Sequence, residues 1–271
     1  GQILNGKVIP GDRVFYPVKP HIACSIPETQ PNFNAKVVLF AVDATDESDV
    51  VRAEFLAQKV ESNGGKTVIL ISKTSPKIAE EKLSKFHSHV MDLSNQESVK
   101  RMLNTATQKI GPISTVVYIT GKVPQVGKFV DLSRKDWDGL VDKFINTPAI
   151  FLQESLNTFV PGGAKNPPLF KNKEGTMIVI GPDMPIGGKV TGADRARVEV
   201  FRGSLRPFTT TVNQELSDVL KSKLRIYLVL PGSVDGTEPN NENIIKAVNY
   251  LTSGRSTSNV EVIYYPDETR T

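Results

Sequence analysis

The chain lacks several features that define whole classes of protein. It has one cysteine, Cys24, among 271 residues, so no internal disulfide can form, and we expect a reducing, cytoplasmic location. No apolar run approaches the roughly 18 residues that a membrane span needs, and no segment resembles a signal peptide. The sequence therefore argues against a disulfide-rich secreted domain and predicts no membrane partner.

Neither positive nor negative charge is concentrated in one segment of the sequence. The net charge is +4 and the pI is about 9.0. The lysines and arginines are nevertheless scattered among acidic residues, and no basic run is interleaved with aromatic residues. We therefore expect no nucleic-acid partner, while a local basic pocket for an anionic cofactor stays open.

What the chain does have is a regular alternation of apolar segments and helical patterns. The predicted strands cover 36–42, 67–72, 87–93, 114–120, 175–181, 224–230 and 260–265. The predicted helices lie over or within 47–63, 76–85, 95–109, 134–158, 194–220 and 241–253. Strands made almost wholly of Val, Ile and Leu are typical of sheets buried on both faces. The pattern predicts an α/β fold, a doubly wound, mostly parallel, Rossmann-like sheet of about seven strands with helices on both faces.

The composition does not change between residues 36 and 265, which favours one domain over 36–271. Residues 1–35 are rich in proline and glycine and are interpreted as an irregular leader or linker. The segment 161–175, PGGAKNPPLFKNKEG, is predicted to be a long loop inside the domain. The sequence opens on Gly1, so we leave open whether the natural protein extends further in that direction.

The turn after the first strand contains no glycine. Glycines normally stand there because they let backbone N–H groups approach the phosphates of a nucleotide. This chain has Asp43, Asp46, Glu47 and Asp49 instead. We expect these carboxylates to satisfy the helix N-terminus themselves, with Asp46 as the N-cap and Asp49 in the first turn. They have no fixed ligand spacing, so they are weak evidence for a metal.

Longer segments resemble the short-chain dehydrogenase/reductase family. They are VMDLSNQESVKRMLNTATQKIGPISTVVYITG, LSRKDWDGLVDKFINTPAIFLQ, GTMIVIG, LRIYLVLPGSVDGT and IIKAVNYLTSG, in that order. The resemblance covers about residues 36–265. It implies a Rossmann sheet and, in active members, oxidoreduction that depends on NAD or NADP.

The resemblance marks candidate cofactor-binding residues. Asp92 corresponds to the aspartate that hydrogen-bonds the adenine or caps the third strand-to-helix turn. Gly121 corresponds to the last glycine of the family's Asn-Asn-Ala-Gly, although Tyr118, Ile119 and Thr120 replace the residues before it. Pro231 and Gly232 correspond to the Pro-Gly that borders the nicotinamide.

One candidate catalytic residue is retained in the long helix. Asn146, in KFINTP, corresponds to the asparagine that kinks this helix and holds a water of the proton relay. Pro148 would reinforce such a kink.

The family's other catalytic residues are missing. The fifth strand runs into Gly181–Asp183, where the family has a serine. In the family, Tyr-x-x-x-Lys on the next helix supplies the proton, and counting from Glu215 puts these positions at Val198 and Arg202. No tyrosine occurs between residues 119 and 226, so an error of register does not restore the acid. The resemblance therefore implies a degenerate member.

Basic residues near the expected site have two interpretations. Arg202 is expected either to form a salt bridge on the helix surface, to Glu199 or Asp194, or to bind an anionic ligand. Lys73 follows the second strand, where family members that favour NADP often carry a basic residue.

His87 and His89 are two residues apart on a predicted strand, so both point to the same face. Two histidines alone make an incomplete metal site, and we predict exposure or capping for them and no bound metal.

The helix within 194–220 carries an apolar stripe. Its members are Phe201, Leu205, Phe208, Val212, Leu216 and Val219. Family members commonly pair through this helix and the long one before it, whereas a stripe is also needed simply to cover the sheet. Pro207 is expected to kink the helix or mark a restart, which puts the usual dimer surface in doubt.

Two functions remain open from the sequence. The leader HIACSIPET, the loop 161–175 and the terminal strand resemble the non-catalytic module of tandem short-chain dehydrogenase proteins, such as bacterial malonyl-CoA reductase. This implies an assembly, scaffold or regulatory module without a cofactor, paired with its own copies or with an active module, in an oxidoreductase acting on acyl thioesters. The alternative is a divergent oxidoreductase of the ketoreductase type that binds NADP or NAD and uses Asn146, Asp183 or Arg202.

Overall fold

The structure is a computed structural model that describes residues 31–124, 129–159, 175–186, 192–218, 224–234, 241–253 and 262–264. Cys24, most of the predicted leader and nearly all of the predicted loop 161–175 lie outside these ranges.

Seven strands form one parallel sheet, as the near-continuous apolar runs predict. The nine strands of the described chain are β1 (Val37–Val42), β2 (Lys66–Ser72), β3 (Ser88–Met91), β4 (Thr115–Ile119), β5 (Thr176–Ile180), β6 (Met184–Ile186), β7 (Arg225–Leu230), β8 (Gly232–Val234) and β9 (Val262–Tyr264). The order in the large sheet is β3-β2-β1-β4-β5-β7-β9, and β6 and β8 form a separate parallel pair. Each predicted strand corresponds to one strand of the large sheet, so the predicted fold class is confirmed.

Helices connect these strands at the predicted places. They are α1 (Glu47–Ser62), α2 (Ile78–Leu83), α3 (Gln96–Ile110), α4 (Arg134–Val141), α5 (Thr147–Phe159), α6 (Gly192–Asp218) and α7 (Asn241–Thr252). A π-helical turn, Asp142–Asn146, joins α4 to α5. Among the described helices, none combines the length and the apolar character that crossing a bilayer requires.

The sheet is covered on both faces because alternate side chains of each strand enter opposite cores. On β1, Val38, Phe40 and Val42 pack with α1 and α7, whereas Leu39 and Ala41 pack with α3, α5 and α6. All six residues of this strand are buried. A strand buried on both faces can be apolar throughout, which is why the sequence shows a run rather than an alternation.

The apolar stripe of α6 faces inward. Leu205 and Leu216 are buried against the sheet, and Phe208 and Val212 pack partly buried beside them. Phe201 lies instead in a smaller cluster with Trp137 and Phe144 of the α4 region. The described part of the stripe therefore covers the sheet and its edge, and Val219 lies outside the described residues.

The helix α6 runs through Pro207 without a break, so of the two expected outcomes, a kink or a restart, the restart does not occur. Proline removes one N–H donor and crowds the carbonyl four residues earlier, which here belongs to Gly203. The hydroxyls of Thr209 and Thr210 donate to the carbonyls of Leu205 and Arg206, at 3.1 and 2.9 Å, which adds bonds around the interruption.

The order of the strands reverses at β1. The chain proceeds from β1 outward to β2 and β3, and then returns to β4 on the other side of β1. Val42 at the end of β1 stands in register with Ile119 at the end of β4. Ligands of doubly wound sheets bind beyond the carboxyl ends of strands at such a reversal, so this edge is where a site is expected.

Candidate functional site

The start of α1 is capped by its own carboxylates, as predicted. Oδ1 of Asp46 accepts hydrogen bonds from the backbone N–H groups of Ser48 and Asp49, at 2.9 and 3.2 Å. In return, Oδ2 of Asp49 accepts from the N–H of Asp46 at 3.3 Å. This reciprocal pair is a capping box, and it occupies donors that an isolated helix would offer to a ligand.

Other backbone N–H groups of the β1–α1 turn also donate to side chains of the chain itself. Oδ2 of Asp49 also accepts from the backbone N–H of Thr45 at 2.8 Å and of Lys122 at 3.1 Å. The N–H of Ala44 donates to Oγ of Ser75 at 3.0 Å. Five backbone N–H groups at this turn and helix start therefore donate within the chain. These are the kind of groups that cradle phosphates at a helix N-terminus.

A lysine lies over the carbonyl groups of the turn. Nζ of Lys143, from the π-helical turn, is 3.0 Å from the carbonyl oxygen of Asp43, 3.1 Å from its Oδ1 and 3.4 Å from the carbonyl oxygen of Ala44. Lys143 was not among the predicted site residues. Its position three residues before Asn146 could have indicated it, because residues three apart lie next to each other on one helical face.

Asp43 is the centre of a buried polar cluster beneath the turn. Its side chain is 3% exposed, and Oδ1 also accepts from the hydroxyl of Thr74 at 3.1 Å. The hydroxyl of Tyr118 is 3.4 Å from Oδ2. Burial, together with the negative charge of Asp43, raises the pKa of Tyr118 well above its ordinary value. Tyr118 is therefore held as a neutral phenol within this cluster.

Gly121 presses the end of β4 directly onto the turn. Its φ is +74°, which strongly favours glycine. A Cβ at this position would lie 2.7 Å from the carbonyl oxygen of Asp43 and 2.9 Å from Oδ2 of Asp49. Gly121, which was predicted to border a cofactor, is thus a packing contact with the closed turn.

Asp49 is a buried carboxylate whose pKa is subject to opposing influences. It is fully buried, and its Oδ1 has no hydrogen-bond partner among the described residues. Burial raises the pKa of this carboxyl group, although the N–H groups of Thr45 and Lys122 oppose the rise.

Asp92 has the contacts of a turn cap. Its Oδ1 accepts from the N–H and the hydroxyl of Ser94, at 3.0 and 2.6 Å, and its Oδ2 pairs with Lys73 at 2.5 Å. The hydrogen bond from Lys73, and next those from Ser94, lower the pKa of Asp92. Lys73, whose position favoured NADP in the sequence, thus forms an ion pair with this carboxylate.

Asn146 ends the π-helical turn, so the predicted irregularity of the long helix is present. Its side chain is exposed, and Nδ2 donates to Oδ1 of Asp142 at 2.7 Å. Lys143, and not Asn146, is the residue of this turn that reaches the carboxyl end of β1.

Arg202 is buried, and the predicted position on the helix surface is wrong. The residue is 5% exposed, and Nη1 donates to the carbonyl oxygens of Pro182 and Pro231 at 2.8 and 2.7 Å. Carbonyl groups at the ends of β5 and β7 attract the guanidinium inward, a preference that no sequence pattern shows. Gly232, next to Pro231, begins β8 and pairs with Met184 of β6.

Asp183 is held in a buried ion pair. Its two carboxylate oxygens accept from Nη1 and Nη2 of Arg52, at 2.9 and 2.6 Å. The side chains are 8% and 3% exposed, and Nε of Arg52 bonds Oδ1 of Asn241 at 3.2 Å. The pair ties α1 to the end of β5 and to the start of α7, so Asp183 is committed to structure.

The residues of this edge do not fit a dinucleotide cofactor of the NAD or NADP kind. The N–H groups that would hold its pyrophosphate donate to Asp46, Asp49 and Ser75, and the backbone of Gly121 lies directly against the turn. At the tyrosine position, Val198 is buried and apolar. Within the described ranges, no group of three or more metal-ligating side chains occurs either.

Comparison with solved structures gives the class of fold. The chain is similar to a short chain dehydrogenase from Mycobacterium smegmatis, with a TM-score of 0.65 and 14% identity over 90% of this chain and 98% of that one. It is equally similar to a short-chain type dehydrogenase/reductase from Mycobacterium ulcerans, with a TM-score of 0.65 and 15% identity over 86% of this chain and 89% of that one. The fold is therefore that of short-chain dehydrogenases. No protein-family model and no curated protein sequence matches the chain.

Gly121→Ala should lower the free energy of unfolding by about 2–4 kcal/mol, because it combines a positive φ with a backbone contact under 3 Å. Gly139→Ala in α4 is the matched control, since its added Cβ meets nothing within 4 Å. That variant should be neutral or stabilising by about 0.5–1 kcal/mol. Urea unfolding measures both, and equal changes in the two variants would contradict the close packing at Gly121.

Asp49→Ala should destabilise the fold by about 3 kcal/mol, because three backbone N–H groups lose their acceptor. Asp49→Asn keeps an acceptor oxygen and removes a buried charge, so at neutral pH it should stay within about 1 kcal/mol of the wild type. Urea unfolding at several pH values measures both.

The pH dependence of the Asp49→Asn comparison has a definite sign. Because the folded pKa of Asp49 is raised, the folded state binds more protons between the ordinary and the raised pKa. The wild type should therefore lose stability relative to Asp49→Asn as the pH rises through that window. Asp46 is the control: burial alone would raise its pKa, but bonds from Ser48 and Asp49 and the charge of Lys122 lower it overall. Asp46→Asn should give the opposite slope, and slopes of the same sign would contradict the burial of Asp49.

Proposed function

We propose that this chain is a non-catalytic domain of the short-chain dehydrogenase type that serves as an assembly, scaffold or regulatory module of an oxidoreductase. One observation carries the proposal. The turn that would hold the pyrophosphate donates its N–H groups to carboxylates and a hydroxyl of the chain itself. A ligand would have to displace these bonds before it gained any of its own.

The positions of the missing catalytic groups support the same function. Val198 and Arg202 stand at the tyrosine and lysine positions, and both are buried. Arg202 bonds backbone carbonyls, and Asp183 is paired with Arg52, so two of the residues that the alternative would recruit have structural contacts. A divergent oxidoreductase with a rebuilt site would need an acid that faces a bound substrate.

The outward face of α6 supports assembly. Its exposed residues, among those of α6 whose side chains are described, are Val200, Gly203, Pro207, Thr211, Gln214 and Glu215. Of these six residues only Glu215, near the end of the helix, is charged, and a Cβ added at Gly203 would meet nothing within 4 Å. A helical face with so little charge suits close approach by another protein. We propose a second copy of the chain, or an active short-chain dehydrogenase module, as the partner.

The finer identity rests on the sequence. The resemblance of HIACSIPET and the loop 161–175 to tandem short-chain dehydrogenase proteins favours a module of a reductase that acts on acyl thioesters. The single cysteine favours the cytoplasm as its location.

Calorimetric titration of the whole chain with NADPH and NADH tests whether the chain binds either cofactor. We expect no saturable heat up to about 1 mM cofactor, which corresponds to binding weaker than about −4 kcal/mol. A catalytically active short-chain dehydrogenase in the same buffer is the positive control. Tight one-to-one binding would overturn the proposal in favour of the divergent oxidoreductase, and loss of NADPH oxidation in Asn146→Ala would then identify the rebuilt site.

Sedimentation analysis of the chain tests assembly through α6. The wild type should self-associate, and Gly203→Arg should shift it to monomer without loss of helical circular dichroism, because the position has room for a side chain. Gln58→Arg adds the same charge on an exposed position of α1, across the sheet, and should leave assembly unchanged. A wild type that stays monomeric at all concentrations would remove the homo-oligomer from the proposal.

A further inference from the structure

The open edge of the sheet carries a pair of histidines that the proposed function does not use. β3 is the terminal strand of the large sheet, paired on one side with β2. His89 lies in this strand and His87 directly precedes it. Both side chains are partly exposed.

The two rings converge at their outer nitrogens. Residues two apart on a strand point to the same face, so the side chains stand next to each other. Their Nε2 atoms are 3.3 Å apart, with ring centroids 4.9 Å apart and ring planes at 83°. At this distance the two nitrogens either form a hydrogen bond with each other or both bind a third atom.

The spacing of the nitrogens suits one metal ion. Zinc binds histidine nitrogen at about 2.0–2.1 Å and is tetrahedral in most protein sites. Two nitrogens 3.3 Å apart, each at that distance from one ion, subtend about 107° at the metal. This angle is close to the tetrahedral value, so the separation of the two nitrogens matches two positions of a zinc site.

The surroundings decide which ions the pair prefers. Lys109 of α3 acts on His89 electrostatically and opposes any cation. Imidazole nitrogen favours zinc, copper and nickel over magnesium and calcium, so only ions of the first kind gain enough to offset the lysine.

Because the rings converge, we propose, in place of the sequence-based expectation of no bound metal, that His87 and His89 form a two-histidine chelate for a divalent transition ion, with Zn²⁺ as the best geometric fit. The pair supplies two ligands, and no larger cluster of ligating side chains occurs in the part of the chain that the structure describes. The remaining coordination positions are thus open to water or to groups of another molecule. This inference is independent of the proposed function, because it concerns β3 and not the β1–α1 turn.

Calorimetric titration of the untagged, metal-free chain with Zn²⁺ tests the proposal. One ion should bind per chain, and Mg²⁺ should give no saturable heat. His87→Ala and His89→Ala should each weaken zinc binding about 100-fold, because a second ligand on the same chain gains from its high effective concentration. The chain has three histidines, so His21→Ala is the matched control and should bind as the wild type does.

Folding and site assignment are checked separately. Circular dichroism should be unchanged in each variant, since both side chains are partly exposed. Histidine ring resonances measured with and without Zn²⁺ should show His87 and His89 shifting together at one equivalent. The proposal is overturned if the wild type shows no stoichiometric binding of Zn²⁺ or if His21→Ala abolishes it. It is also overturned if a variant that carries both His87→Ala and His89→Ala binds Zn²⁺ as well as the wild type does.

Discussion

One carboxylate oxygen, Oδ2 of Asp49, holds the carboxyl edge of the sheet closed. It accepts from N–H groups on both sides of the strand-order reversal, at the turn after β1 and at Lys122 after β4. Hydrogen bonds to charged groups contribute about 1.5–3 kcal/mol each, so this atom fixes the turn, the start of α1 and the approach of β4 together. Gly121 follows from it, because only a residue without a Cβ fits against that oxygen.

Asp49 does for the turn what a phosphate does in a nucleotide-binding protein. Both bring negative charge to a helix N-terminus and accept several backbone N–H bonds. The carboxylate is covalently part of the helix, so it is always present. Lys143 supplies a matching positive charge beside Asp43, and a buried polar cluster thereby forms at the carboxyl end of β1.

Local patterns predicted the fold and the helix cap, whereas long-range polar contacts escaped prediction. The strands follow from apolar runs, and the Asp46–Asp49 capping box follows from residues three apart. Lys143 and Asp43 are 100 residues apart. Arg202 bonds carbonyl oxygens, which every residue possesses. Only the topology brings such groups together, and sequence periodicity carries no signal for them.

The closed edge depends on several separate contacts, so replacing one residue would not open it. Arg52, Lys143 and Arg202 each bond groups at the carboxyl ends of different strands, near β5, β1 and both β5 and β7. Removing one partner leaves a buried charge uncompensated, at a cost of about 3–5 kcal/mol, while the other contacts still fill the edge. Buried polar contacts of this kind make the elements that they join rigid. A rigid edge agrees with the proposed role, in which the domain presents a surface to a partner.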